Sequence, residues 1–171
     1  AHMVKNAETG GSAINQLCRV AGLELTITPP QLETPTRDIT IGTAMDRDEV
    51  LAAMNAGAEA IVDSCDYLIL VDMGVGNTTA ASVLRLGRFG ADAKGWVGPG
   101  MGIDDDGIAH KAAIIEKAAA FQHPVDDHAV ALLAAFGGYE LAAIAGAALA
   151  ARSRSIPVML DGFSTTAAAA T

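Results

Sequence analysis

Positive charge is scarce in this chain: 11 Lys and Arg stand against 20 Asp and Glu, a formal net charge of -9 over 171 residues. No basic patch is segregated within that acidic excess, so nucleic acid and anionic membrane, both of which would be repelled, are not expected as partners. Cysteine is limited to Cys18 and Cys65, without a Cys-x-x-Cys spacing or adjacent histidines. That excludes a zinc knuckle, makes a disulfide unexpected, and leaves buried reduced thiols suited to a cytoplasmic setting. No stretch is long and charge-free enough for a membrane span, and no basic start followed by an apolar core marks a signal peptide, so a soluble protein is expected. Aromatics are only 4%. The 18 glycines and many alanines instead suggest helices and strands that approach closely, and the 51% hydrophobic content excludes a mostly disordered chain. One α/β domain over residues 4–171 is expected, with Ala1-His2-Met3 read as a cloning remnant.

Periodicity organises the rest. Helical spacing over Ala7–Ala21 stops at Gly22, and alternation from Leu23 to Thr28 predicts a strand ending at Pro29-Pro30. After a loop to about Thr43, Asp46 or Asp48 starts a helix within Met45–Ser64. Tyr67–Val71, "YLILV", is a continuous apolar run, predicted as a strand buried on both faces. Further helices are predicted through about Arg88, over Ile108–Phe121, His128–Ala135 and Glu140–Ala151, before a second buried strand at Ile156–Leu160. Both strands leave through similar turns, "VDMGVGNTTAAS" and "LDGFSTTAAAA": an Asp, glycine, then hydroxyl residues opening a helix of small side chains. In an open parallel sheet such turns lie at the carboxyl ends of the strands, where ligands bind.

The first turn has the chemistry of a phosphate cradle. Gly74 and Gly76 allow backbone conformations closed to other residues, and the following helix N-terminus presents free N–H groups at a positive dipole end. Asn77, Thr78 and Thr79 can cap that helix or donate to phosphate oxygens. An ordinary capped turn needs one such residue; two glycines and three donors favour a ligand. It is neither a P-loop, since no lysine follows before Lys94, nor a dinucleotide fingerprint, whose third glycine would fall at Thr79. Asp104, Asp105 and Asp106 lack the closing glutamate of a calcium loop, and no metal site is expected. On composition alone these acids are a solvated helix start, and Lys111 a solvated helix lysine. His110, His123 and His128 form no recognisable catalytic arrangement.

Taken in order, Gly74-Val75-Gly76-Asn77-Thr78-Thr79, Val97-Gly98-Pro99-Gly100-Met101-Gly102, Gly137-Gly138-Tyr139-Glu140 and Asp161-Gly162-Phe163 resemble the nicotinate-nucleotide:dimethylbenzimidazole phosphoribosyltransferases of cobalamin lower-ligand assembly. The likeness runs from about Gly10 to the end and includes "PTRDIT" at Pro35–Thr40. It implies a three-layer α/β/α fold with a mainly parallel, Rossmann-like sheet, a homodimer, and no cofactor. It also implies transfer of phosphoribosyl from nicotinate mononucleotide to a benzimidazole nitrogen, giving α-ribazole 5′-phosphate and nicotinate. By the same likeness Gly74, Gly76, Asn77, Thr78 and Thr79 hold the phosphate, Gly100, Met101, Gly102, Gly137 and Gly138 line the nucleotide, Asp161 joins the site, and Lys111 lies near the charged groups.

Three positions depart from the family pattern. Val71-Asp72 replaces Gly-Glu, so the carboxylate of Asp72 is one methylene shorter; Met101 replaces a threonine; and the family's general-base glutamate, carried in a later segment, has no counterpart, since no glutamate follows Glu140. Relative to the family the domain is expected to be incomplete at both ends: a fragment, a short paralogue that only binds nucleotide, or a chain completed by another polypeptide. A different nucleotide enzyme using Asp72 or Asp161 as base is the remaining alternative.

Overall fold

The computed structural model describes residues 2–29, 31, 33–90, 92–98, 102–122 and 128–171. The first expected helix is two helices, α1 (His2–Glu8) and α2 (Ala13–Ala21). The break falls at Gly10, whose φ of +80° no helix accommodates. α2 then restarts with Ser12 N donating to Asn15 Oδ1 at 3.0 Å, while Asn15 Nδ2 ties back to the Ala7 carbonyl at 3.0 Å. Gly22 ends α2 in the left-handed region, as its position predicts. The strand expected over Leu23–Thr28 is not formed: these residues join no sheet among the described residues, Leu23 N donates to the Cys18 carbonyl at 2.8 Å, and Leu23 is exposed. Alternation prepares a segment for a sheet but supplies no partner for its backbone.

α3 (Arg47–Glu59) begins at a capping box: Glu49 N donates to Asp46 Oδ1 at 2.9 Å and Asp46 N donates to Glu49 Oε2 at 2.8 Å. It ends before the predicted Ser64. Its main neighbour is α7 (Tyr139–Ser153), and the two meet backbone to backbone. A Cβ on Gly57 would overlap the Ala143 carbonyl, and one on Gly146 would overlap that of Met54. Glycine at this crossing is therefore a packing requirement.

The sheet has two parallel strands, β1 (Leu68–Leu70) and β2 (Val158–Leu160), with Ile69 opposite Met159. Around it run α4 (Asn77–Phe89), a 3-10 turn at Ala93–Trp96, α5 (Asp105–Phe121), α6 (Ala129–Phe136) and α8 (Gly162–Ala169). Leu84, Ile115, Leu132, Leu133, Phe136 and Leu141 are fully buried among these helices. The chain is thus an α/β fold, mostly helical with a small parallel sheet. Neither strand is buried on both faces as its sequence predicts: Leu70 points into the core, whereas Ile69 is 36% and Met159 50% exposed. The three-layer arrangement is visible only in part, because among the described residues one face of the sheet is uncovered. Cys18 is buried and Cys65 half-buried, both as free thiols.

Candidate functional site

The turn from β1 into α4 is shaped by its glycines. Gly76 occupies the N-cap position with φ +83°, where nothing lies near a Cβ but the backbone itself excludes one. Gly74 approaches Asn77 so closely that a Cβ would stand 3.3 Å from that of Asn77. Thr79 N donates to the Gly76 carbonyl at 3.0 Å, closing the first helical turn. Asn77 turns inward: its Nδ2 donates to Asp72 Oδ2 and its Oδ1 accepts from Thr78 N at 2.7 Å. Its amide thus braces the two ends of the turn. Ser82, fully buried, lies 2.7 Å from both the Thr78 and Trp96 carbonyl oxygens and fixes this end of α4 against the 3-10 turn.

A lysine arrives from another helix. Lys111 on α5 donates from Nζ to Thr78 Oγ1 at 2.8 Å. It is half-buried, burial lowers its pKa, and it forms no ion pair among the described residues. The Thr79 hydroxyl, beside it on α4, has no hydrogen-bond partner among the described residues. A left-handed glycine, a helix N-terminus, two hydroxyls and an unpaired cation form a concentration of positive potential and donors that suits a phosphate.

Carboxylates stand on the other side. Asp72 has its pKa raised first by burial, with the charge of Asp161 adding to the rise; the Asn77 amide and the neighbouring Ser164 hydroxyl oppose it. Glu140, at the start of α7, is raised first by burial and further by the charge of Asp72, against the pull of its own backbone N–H. Glu140 also explains a glycine: a Cβ on Gly138 would stand 2.5 Å from Glu140 Oε1. At Gly137 a Cβ would stand 2.6 Å from the Leu133 carbonyl oxygen. Both glycines are buried, and protein atoms occupy the space beside them. Among the described residues no three His, Cys, Asp or Glu side chains converge as metal ligands.

The structure therefore brings together Asp72, Gly74, Gly76, Asn77, Thr78, Thr79 and Lys111, with Asp161 as a charge neighbour. Gly102 is exposed, with φ +91°, shortly before α5; Gly100, Met101 and His123 lie outside the described residues. Asp104 caps α5 by accepting from Gly107 N at 2.9 Å, and Asp105 and Asp106 are exposed, the solvated helix start the composition suggests. His110 is exposed and His128 sits at the N-cap of α6. Two side chains join the site without having been singled out for it, Glu140 and Ser164. The signals available were the glycine pair before an acid in "FGGYE" and the serine of the second strand exit. Surface grooves at Asp38–His110–Lys117 and at Gln31–Asp46–Tyr139 contain none of the residues gathered at the β1–α4 turn.

A family model described as "Phosphoribosyltransferase" (DBI_PRT) matches residues 1–171. A relative from Rhodobacter capsulatus named nicotinate-nucleotide–dimethylbenzimidazole phosphoribosyltransferase is 49% identical over 169 residues, covering 99% of this chain and 50% of the relative. One of the same name from Mesorhizobium japonicum is 47% identical over 173 residues, covering 98% and 50%. A crystal structure of CobT from Thermus thermophilus superposes with a TM-score of 0.86 at 33% identity, covering 98% of this chain and 56% of that one. The chain spans about half the length of the curated relatives it matches. With the family match running from the first residue to the last, the chain belongs to this phosphoribosyltransferase family.

Proposed function

We propose that this chain carries the phosphate-holding part of a nicotinate-nucleotide:dimethylbenzimidazole phosphoribosyltransferase. The reaction would transfer phosphoribosyl from nicotinate mononucleotide to 5,6-dimethylbenzimidazole, giving α-ribazole 5′-phosphate and nicotinate in cobalamin biosynthesis. The observation that carries this reading is Lys111, half-buried and without an ion pair among the described residues, hydrogen-bonded to Thr78 at the N-terminus of α4 in a chain of this family.

In this reading Gly74, Gly76, Thr78, Thr79 and Lys111 hold the 5′-phosphate, and Asn77 keeps the turn open by bracing it to Asp72. Fixing the phosphate orients the ribose so that the azole nitrogen can displace nicotinate at the anomeric carbon with inversion. Positive charge develops on the sugar in that step, and in this reading the carboxylates of Asp72, Glu140 and Asp161, which feel one another's charge, would favour it. Asp72 serves as the shortened counterpart of the family glutamate. Gly100, Met101, Gly102, Gly137 and Gly138 remain nucleotide-lining residues by resemblance. The protein is read as a cytoplasmic homodimeric pentosyltransferase that uses no metal or cofactor.

A second reading has one observation in its favour: no glutamate follows Glu140, so the family's general base has no counterpart within residues 1–171. Here the chain binds nucleotide without turning it over. Calorimetric titration with nicotinate mononucleotide, paired with an assay of nicotinate release in the presence of dimethylbenzimidazole, separates the two. Binding with release supports the transferase, binding alone supports the second reading, and absence of binding removes both.

A further inference from the structure

The Pro35–Thr40 segment contributes no residue to the phosphate turn, yet it and the residues that follow it grip the joint between α6 and α7 from both sides. α6 ends at Phe136 and α7 begins at Tyr139, so Gly137 and Gly138 alone connect them. The last carbonyls of a helix have no partner within it. At α6 two of them are taken from this side: Ala44 N donates to the Ala135 carbonyl at 3.1 Å and Met45 N to the Ala134 carbonyl at 3.0 Å. Arg37 N closes the segment by donating to the Ala44 carbonyl at 2.9 Å, and Gln122 Nε2, at the end of α5, donates to the Ile39 carbonyl at 3.0 Å.

Side chains hold the other side of the joint. Tyr139, only 6% exposed, donates from Oη to Glu49 Oε1 at 2.9 Å. Glu49 Oε2 accepts from Arg37 Nη2 at 2.7 Å and from Asp46 N at 2.8 Å, so both carboxylate oxygens are fixed. A charged acceptor held in this way binds the phenol strongly and in one place. The next residue is Glu140. Its carboxyl lies against Gly138, where a Cβ would stand 2.5 Å from Oε1, and the charge of Asp72 acts on it. Neighbouring residues of a helix leave it in directions fixed relative to one another, so the tether on Tyr139 also sets the direction of Glu140.

We propose that Tyr139 is a positioning residue: tethered through Glu49 to Arg37 of the Pro35–Thr40 segment, it sets the first turn of α7 so that the Glu140 carboxyl lies against Gly138 within the field of Asp72. Arg37 and Glu49 act through Tyr139. The part this plays in catalysis rests on the reading of the β1–α4 turn as the nucleotide site; the placement of Glu140 does not.

The test measures charge coupling on the whole chain by carboxyl-carbon resonance, without nucleotide. The Glu140 signal is assigned by its loss in Glu140→Gln. In the otherwise unchanged chain, Asp72→Asn should move the Glu140 titration downward, because it removes a like charge. In Tyr139→Phe, which deletes the hydroxyl and keeps the ring in the core, the same substitution should displace it by roughly half as much or less. Arg154→Met removes the 2.9 Å hydrogen bond from Arg154 Nη1 to the Ile61 carbonyl, at the opposite end of the α3–α7 pair, and should leave the full displacement. Glu49→Gln, which keeps an oxygen for Tyr139, should retain more of the displacement than Glu49→Ala, and this pair decides the matter if Tyr139→Phe does not fold. The proposal is overturned by an undiminished displacement in Tyr139→Phe, by an equal loss in Arg154→Met, by Glu49→Gln faring no better than Glu49→Ala, or by no displacement in the unchanged chain. With no nucleotide present, any of these is distinct from a failure to bind nicotinate mononucleotide.

Discussion

β1 and β2 leave the sheet side by side, each through an Asp, a glycine and hydroxyl residues into a helix, yet the two turns dispose of their polar groups differently. Only Asp161 separates β2 from α8, and there the two threonine hydroxyls fold back on their own helix, while Ser164 reaches Asp72 at the other exit. Thr165 Oγ1 donates to the Asp161 carbonyl, and Thr166 Oγ1 donates to the Gly162 carbonyl at 2.7 Å. Six residues, Val71 to Gly76, separate β1 from α4. That length lets Asn77 swing back to Asp72, leaves the Thr78 and Thr79 hydroxyls beside the helix N-terminus, and admits Lys111. The same residue types build a closed turn at one exit and a turn with unused donors at the other. What distinguishes a binding turn here is length and an approaching cation, more than composition.

The largest expected difference between the exits is in nucleotide affinity. Lys111→Met should weaken nicotinate mononucleotide binding roughly ten- to a hundredfold, the equivalent of about 1.5–3 kcal/mol for a hydrogen bond to a charged group. Thr166→Val, at the closed exit, should leave affinity unchanged. Calorimetry on both variants checks this, and equal losses would erase the distinction.

Stability should not distinguish the exits in the same way. Gly76 and Gly162 both have positive φ, +83° and +69°, and neither has a neighbour that a Cβ would meet. Replacing either by Ala should therefore cost about 1–2 kcal/mol through backbone strain alone. At about 2–4 °C per kcal/mol for a chain of this size, thermal unfolding resolves that loss. Both variants should melt earlier, and only Gly76→Ala should also bind nucleotide less well.

Much of this was legible in the sequence because helix ends announce themselves locally. Asp46, one of the two acids read as a helix start, and Gly22 act where their positions predict, and the two strand exits were recognisable as a pair. What could not be read needed partners distant in the chain. Among the described residues Leu23–Thr28 has a strand's alternation but no strand to pair with, and the apolar runs of both strands gave no sign that one sheet face is uncovered there. Lys111 read on its own is a solvated helix lysine; only the family resemblance placed it near charge, and its hydrogen bond spans 33 residues of chain. Glu140 meets the field of Asp72 from 68 positions away, and no local pattern encodes that.

The carboxylates give the turn a pH dependence. The folded pKa of Asp72 is raised above its ordinary value of 3.8, so the folded state holds this proton more tightly than the unfolded one. The associated stability is fully present below that ordinary value and is lost as pH rises through the raised one. Asp72→Asn removes the titration while keeping an oxygen to accept from Asn77. Its thermal midpoint should match wild type at pH values below 3.8 and exceed it increasingly above. A constant offset across pH would mean that Asp72 is not under strain from burial.

The smallest effect tests whether the closed exit supports the open one. Ser164, buried on α8, favours the ionised form of Asp72, whereas the charge of Asp161 disfavours it. Ser164→Ala should therefore move the Asp72 titration upward, and Asp161→Asn should move it downward, both read by carboxyl-carbon resonance on the intact chain. Each substitution lies on the second exit, and neither touches the backbone of the first. Opposite displacements would show that the β2–α8 turn sets the electrostatics of the β1–α4 turn across the sheet. If the Asp72 resonance ignores both, the two exits share a sequence pattern and nothing more, and the burial of Asp72 alone accounts for its raised pKa.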